Sequence, residues 1–220
     1  MCKKLVEKKG QIGPQKSQEK WLLDFNFHAG EVDWNATYSL PFQCTKSTKL
    51  KEFQFNFLHR QLPTNKLLQQ IGLKDNEKCT FCQEVVEALP HLFWYRDEIT
   101  LFWNCVTVFF QKVNLLSQTD RLDGKIALGL RPDKSNHSLT INLCCLLTRY
   151  YIWVCKLKEI LPNMISYLRF LNHIMLWKQK VKSLQKSGNL LWHICRVHDF
   201  HFNSQSLFFL PSIRSNNCVI

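Results

Sequence analysis

The chain has 220 residues, 45% of them hydrophobic and 21% charged, enough to bury a core and too apolar for a disordered chain. Lys and Arg number 29 against 17 Asp and Glu, a formal net charge of +12, and there are ten cysteines. The first twenty residues hold no apolar run, so no secretory signal is expected and the cysteines read as free thiols in a reducing, intracellular compartment, cytoplasm or nucleus.

Residues 1–20 are polar and basic, with Gly10, Gly13 and Pro14, and read as a linker or a broken edge. Over 21–45, short apolar clusters (Trp21-Leu22-Leu23, Phe25, Phe27, Trp34) are punctuated by Gly30 and Pro41, and Asp33 is placed to cap a short helix over 34–39. Thr48 opens a clearer helix. Leu50, Phe53, Phe57 and Leu58 recur at helical spacing, Phe55 lies on another face, and Pro63 is the expected stop. Thr64 is a good N-cap for the next helix, with Leu67, Leu68 and Ile71 on one face and Gly72 as its terminator. A polar turn over 74–77 then leads into Cys79.

From 98 to 113, Ile99, Phe102, Trp103, Val106, Phe109, Phe110 and Val113 form one stripe of an amphipathic helix. A loop, a short apolar piece at 126–130 and a second loop follow. A long helix with apolar residues on nearly every side is expected from about 139 to 160. Its most apolar window, Ser138 to Cys155, carries Arg149 and Asn142. A charge there is costly in lipid, so the window reads as a buried helix rather than a membrane span. Pro162 restarts a helix with Met164, Ile165, Leu168, Leu171 and Met175 on one face, running towards Gly188 and turning basic at Lys178, Lys180 and Lys182.

The expected fold is mostly α. It divides into a polar basic segment (1–20), a small helical domain with a zinc-knuckle-like loop (21–113), a helical C-terminal region (126–187) and a divergent, poorly ordered tail (188–220). The charge is concentrated at the ends: residues 1–20 hold six Lys against two Glu, and 177–220 hold six Lys and Arg against one Asp. Basic ends attract phosphate backbones or anionic surfaces, or serve as solubility tails.

Cys79 and Cys82 form a C-x2-C pair, with His91 following after eight intervening residues. Two thiolates at this spacing can turn back around one ion, which is the usual first half of a tetrahedral zinc site. The bland alternative stands beside it, because a C-x2-C pair arises by chance among ten cysteines and a lone His is usually a satisfied polar residue. Cys144, Cys145 and Cys155 read as core residues. No P-loop, GxGxxG, HExxH or GxSxG appears, so neither an enzyme nor a small-molecule substrate is expected.

Lys51-Glu52-Phe53-Gln54-Phe55-Asn56-Phe57-Leu58-His59-Arg60-Gln61-Leu62-Pro63-Thr64-Asn65, then Ile71-Gly72, Cys79-Thr80-Phe81-Cys82, Glu87, His91-Leu92-Phe93-Trp94 and Trp103 resemble the zinc-binding module that follows the reverse transcriptase in LINE-type, non-LTR retrotransposon polyproteins. Leu128-Gly129 and Arg149-Tyr150-Tyr151-Ile152-Trp153 resemble the C-terminal end of the same polyproteins. The likeness spans roughly 17–175 and is specific over 50–103.

The resemblance implies zinc on Cys79, Cys82 and His91. The family's fourth ligand is a cysteine at the position of Arg96, and a guanidinium does not bind a cation, so a weakened, open three-ligand site is expected. Cys105 would substitute only if its helix bent back. The family's endonuclease and its paired-Asp polymerase site have no counterpart in this sequence, which suggests a truncated or frameshifted copy without catalysis. The expected partners are template RNA or target DNA and the parent reverse transcriptase domain. Lys178, Lys180 and Lys182 are the candidate phosphate contacts, since residues 49–98 hold seven basic and seven acidic side chains and are neutral overall. The alternative is a helical interaction remnant that binds neither zinc nor nucleic acid.

Overall fold

The computed structural model describes residues 16–119, 122, 128 and 136–180, the side chains of 136–138 and 175–180 excepted. Seven α-helices stand in it: α1 (Lys16–Phe25), α2 (Trp34–Cys44), α3 (Thr48–Leu58), α4 (Asn65–Gln70), α5 (Asp97–Lys112), α6 (Asn136–Leu157) and α7 (Met164–Lys180). A π-helical turn, His91–Tyr95, precedes α5. Among the described residues the β pairing amounts to one isolated bridge, Lys78 to Val86. The mostly α expectation therefore stands, and no described helix is long and apolar enough to cross a membrane.

Capping residues set where the helices begin. Asp33 accepts from Ala36 N at 3.0 Å, Ser47 from Leu50 N and Thr64 from Leu67 N, each satisfying an amide that the helix leaves without a partner. Asn163 does the same for α7 through Ser166 N at 2.9 Å.

Several ends differ from the expectation. α3 stops at Leu58, five residues before Pro63, because Arg60 takes a left-handed φ of +59° and Gln61 N turns back to Asn56 O at 2.7 Å. Asn26, Asn114 and Glu159 end α1, α5 and α6 in the same way. Gly72, at φ +73°, is the expected glycine terminator of α4. α2 runs on through Pro41 to Cys44, beyond the expected end at 39. α1 begins at Lys16, so the helix crosses the 20/21 division drawn from composition.

One hydrophobic core joins the segment 21–113 to the C-terminal helices. α6 packs on α2, α3 and α7, and α7 also touches α5. The all-round apolar character of α6 is explained by burial on every side: Leu143, Leu146, Leu147 and Ile152 are all buried, and Cys144, Cys145 and Cys155 are core residues as expected. Arg149 is buried with them, donates to Gln54 Oε1 at 3.0 Å and lies over the Phe57 ring. Complete burial pushes its guanidinium down to about 10.

α1 is anchored by Trp21, fully buried, whose Nε1 donates to Leu58 O at 2.9 Å. α5 buries the expected stripe, and Trp103 Nε1 donates to Phe93 O at 2.8 Å, fixing the π-helical turn on the helix after it. The buried face of α7 is rotated from the expected one. Tyr167 and Leu171 are its centre, whereas Ile165 and Leu168 are half-buried. Tyr167 goes inward because its hydroxyl has a partner there, Thr148 Oγ1 at 2.6 Å. The 188–220 tail and most of the apolar piece at 126–130 lie outside the described residues, although Leu128 is described and buried.

Candidate metal centre

The loop between α4 and α5 folds back on itself. Cys79 N donates to Val85 O at 2.7 Å, Glu87 N to Glu77 O at 2.7 Å, and Gln83, at φ +58°, turns the chain so that its N–H reaches Cys79 O at 2.9 Å. The backbone amides of Phe81 and Cys82 point at the Cys79 sulfur, and those of Glu84 and Val85 at the Cys82 sulfur. Donors aimed at both sulfurs favour the thiolate form that a metal needs.

The π-helical turn then brings in His91. The ligand atoms of Cys79, Cys82 and His91 all lie within 4.8 Å of one another. Cys82 Sγ and His91 Nε2 are 3.6 Å apart. A sulfur and a nitrogen at two corners of a zinc tetrahedron are separated by about 3.6 Å, given bonds of about 2.3 and 2.05 Å. The three residues expected from the sequence are thus brought together in a cluster that could hold a metal ion, and the Cys82–His91 pair has the spacing of two corners of a tetrahedral site.

The fourth corner is different. Arg96, 6% exposed, stands just before α5 and makes a fork to Glu98, with Nε to Oε2 at 2.7 Å and Nη2 to Oε1 at 2.9 Å. Its guanidinium lies 5.3 Å from the centre of the Phe81 ring, between the two cysteines in sequence. Its Nη1 is buried with no hydrogen-bond partner among the described residues. Cys105, half-buried on α5, is not part of the cluster.

The electrostatics follow from this arrangement. Burial raises the Cys79 thiol. Burial works the same way on Cys82, but the Val85 and Glu84 amides, Cys79 and the Arg96 charge outweigh it and hold that thiol below its ordinary value. Burial, then the Arg96 charge, lowers His91 and keeps its imidazole neutral. The shifts favour the cation-binding form at Cys82 and His91 and oppose it at Cys79, and the Arg96 cation stands beside Cys82 and His91.

A buried carboxylate, not visible as such from spacing, holds the loop to the helices. Glu87 is fully buried and accepts from Asn65 N at 2.8 Å through Oε1 and from Thr80 N at 2.7 Å through Oε2. Asn65 Nδ2 in turn donates to Lys78 O at 2.6 Å. Lys156, at the end of α6, stands 3.5 Å from Glu87 Oε1 and donates to Pro63 O at 2.8 Å. One carboxylate thereby ties the start of α4, the knuckle and the C-terminal region. A lone Lys in the last turn of an apolar helix was the available signal for the last of these.

No protein-family model matches the chain, and no curated protein or solved structure matches it significantly. Lys178 and Lys180 fall in the last turn of α7, where side chains are not among those described, and Lys182 lies outside the described residues.

Proposed function

We propose that the chain is a reverse-transcriptase-type zinc-binding domain derived from a LINE-like retrotransposon polyprotein, and that it binds RNA or DNA without catalysing a reaction. The convergence of Cys79, Cys82 and His91 is the observation that carries this reading. The motif residues quoted for the resemblance support it further, since Asn65, Glu87, Trp94 and Trp103 all pack around the cluster or the helices beside it. Zinc would sit on the two thiolates and the imidazole, fixing the loop between α4 and α5 with its fourth position open. A helical remnant that binds neither metal nor nucleic acid is the second reading. It is favoured by Arg96, whose buried cation occupies the neighbourhood of the missing ligand.

Zinc stoichiometry on the purified chain, beside Arg96→Cys, separates the two. The expected result is one zinc per chain, held weakly in the wild type and tightly in the variant, with a higher melting temperature for the variant. Equal behaviour of the two proteins would sink the four-corner arrangement. For nucleic acid, the expected result is an affinity that falls steeply with salt; a salt-independent affinity would count against phosphate contacts.

A further inference from the structure

α3 has apolar side chains on two sides, and a helix needs only one to reach the core. Leu50, Phe53 and Phe57 are buried, whereas Phe55 is 54% exposed. Phe42 on α2, 69% exposed, lines the same groove as Phe55. The groove has a volume of about 350 Å³ and is lined chiefly by Tyr38, Pro41, Phe42, Lys51, Phe55 and His59. That volume is at the small end of the ~300–1,000 Å³ range of ligand sites. None of these residues belongs to the knuckle.

The lining is a set of ring faces. Tyr38 and His59 stack at 5.3 Å with an interplanar angle of 22°, and Phe55 lies 4.2 Å from His59. Lys51 Nζ stands 5.0 Å over the Phe42 ring. The charge around it is mixed with a basic excess: Lys46 and Lys49 are exposed and Lys51 half-buried, Lys49 standing 5.7 Å over the Tyr150 ring of α6, while the acidic Glu52 is exposed next to Lys51. Exposed aromatic faces interleaved with cations are what unpaired bases on a phosphate backbone require, since every base has a π-face and every linkage a negative charge. The ring faces of Phe42 and Phe55 suit stacking, which does not depend on base identity.

We propose that the α2–α3 groove is a base-stacking site for single-stranded nucleic acid, with Phe42 and Phe55 as the stacking platforms and Lys51 as a phosphate contact. This rests on the nucleic-acid reading above and assigns its contact surface to these helices rather than to the knuckle. The site tolerates any base sequence and disfavours duplex, in which the base faces are already stacked.

The test uses the full chain and a fluorescein-labelled oligouridylate of about 12 nucleotides, within the ~4–16 nucleotides that such surfaces span, followed by anisotropy at several salt concentrations. Phe42→Ala and Phe55→Ala are each expected to weaken binding about tenfold with the salt slope unchanged. Lys51→Ala is expected to lower that slope by about 1, and a duplex of equal length to bind more weakly than the single strand. Both rings are exposed, so the melting temperatures of these variants should match the wild type. Photo-crosslinking of 4-thiouridine-substituted strand to the wild-type chain should place adducts on α2 and α3, which needs no variant to fold. If the wild type binds and the Phe42→Ala/Phe55→Ala double variant binds equally well, the groove proposal fails while the nucleic-acid reading stands. If the wild type binds no oligonucleotide, both fail. An acidic amphipathic peptide that displaces the strand and binds more tightly would overturn the proposal in favour of a protein partner.

Discussion

The knuckle corner and the helical core around α6 are held by different forces. The core is a set of aromatic and aliphatic contacts, with Trp21, Phe57, Phe93, Phe110 and Tyr167 fully buried, and its stability is non-directional and proportional to area. The knuckle buries little apolar surface. Leu73 and Val85 there are largely exposed, and the loop is fixed by directional bonds to Glu87 and by the ligands' convergence. The core tolerates shape-conserving exchange; the knuckle tolerates almost no loss of a polar partner. Lys156 is where the two meet, on a core helix with its charge in the knuckle's network.

The sharpest way to test that contrast is to damage the core alone. Trp21→Ala should cost about 3–5 kcal/mol, for the lost ring and the orphaned Leu58 carbonyl, measured by urea titration with and without zinc. Equal loss in both conditions is expected. A loss that zinc repairs would show that the two regions are not separable.

Glu87→Ala is the next largest, at about 3 kcal/mol, because it leaves Lys156 buried without its counter-charge and two amides without an acceptor. A double-mutant cycle with Lys156→Met should give a coupling of at least about 0.5 kcal/mol. Strict additivity would mean that the carboxylate does not join the C-terminal region to the knuckle.

Zinc itself should add about 2.7 kcal/mol at a hundredfold excess over its dissociation constant, and Cys82→Ser should abolish that increment while leaving the metal-free melt within about 0.5 kcal/mol. A large loss of metal-free stability in Cys82→Ser would place the thiol in the core rather than at a site. The smallest effect is Tyr167→Phe, about 1 kcal/mol for one hydrogen bond to Thr148, read from thermal melts. A neutral result would show that burial alone sets the face of α7.

Much of this was legible beforehand, and the failures have one cause. The stripe of α5, the caps at Asp33 and Thr64 and the Gly72 stop follow from local chemistry that acts within a few residues, whereas the candidate ligands Cys79, Cys82 and His91 rest on the C-x2-C spacing together with the family resemblance. Helix ends were misplaced where a non-glycine residue takes the left-handed turn, as at Arg60, because no sequence rule selects Arg for it. The expected inward face of α7 leaves out Tyr167, which goes inside because its hydroxyl finds Thr148 across the chain. Glu87 stood in the quoted motif, but its role depends on Asn65 and Lys156, 22 and 69 positions away in the chain.

The sequence by itself determined the helices, their polar starts and the Cys79/Cys82 pair, because periodicity, capping and C-x2-C spacing are local properties of the chain, and His91 joined them as a candidate through the family resemblance. Tertiary structure decided what those parts do together. It brought His91 to 3.6 Å from Cys82, placed Arg96 beside the ligands rather than out in solvent, sent Lys156 to a buried carboxylate, and left Phe42 and Phe55 lining one open groove. Distances between residues far apart in the chain follow from how α6 packs against α2 and α3, and packing is a property of the whole core rather than of any segment within it.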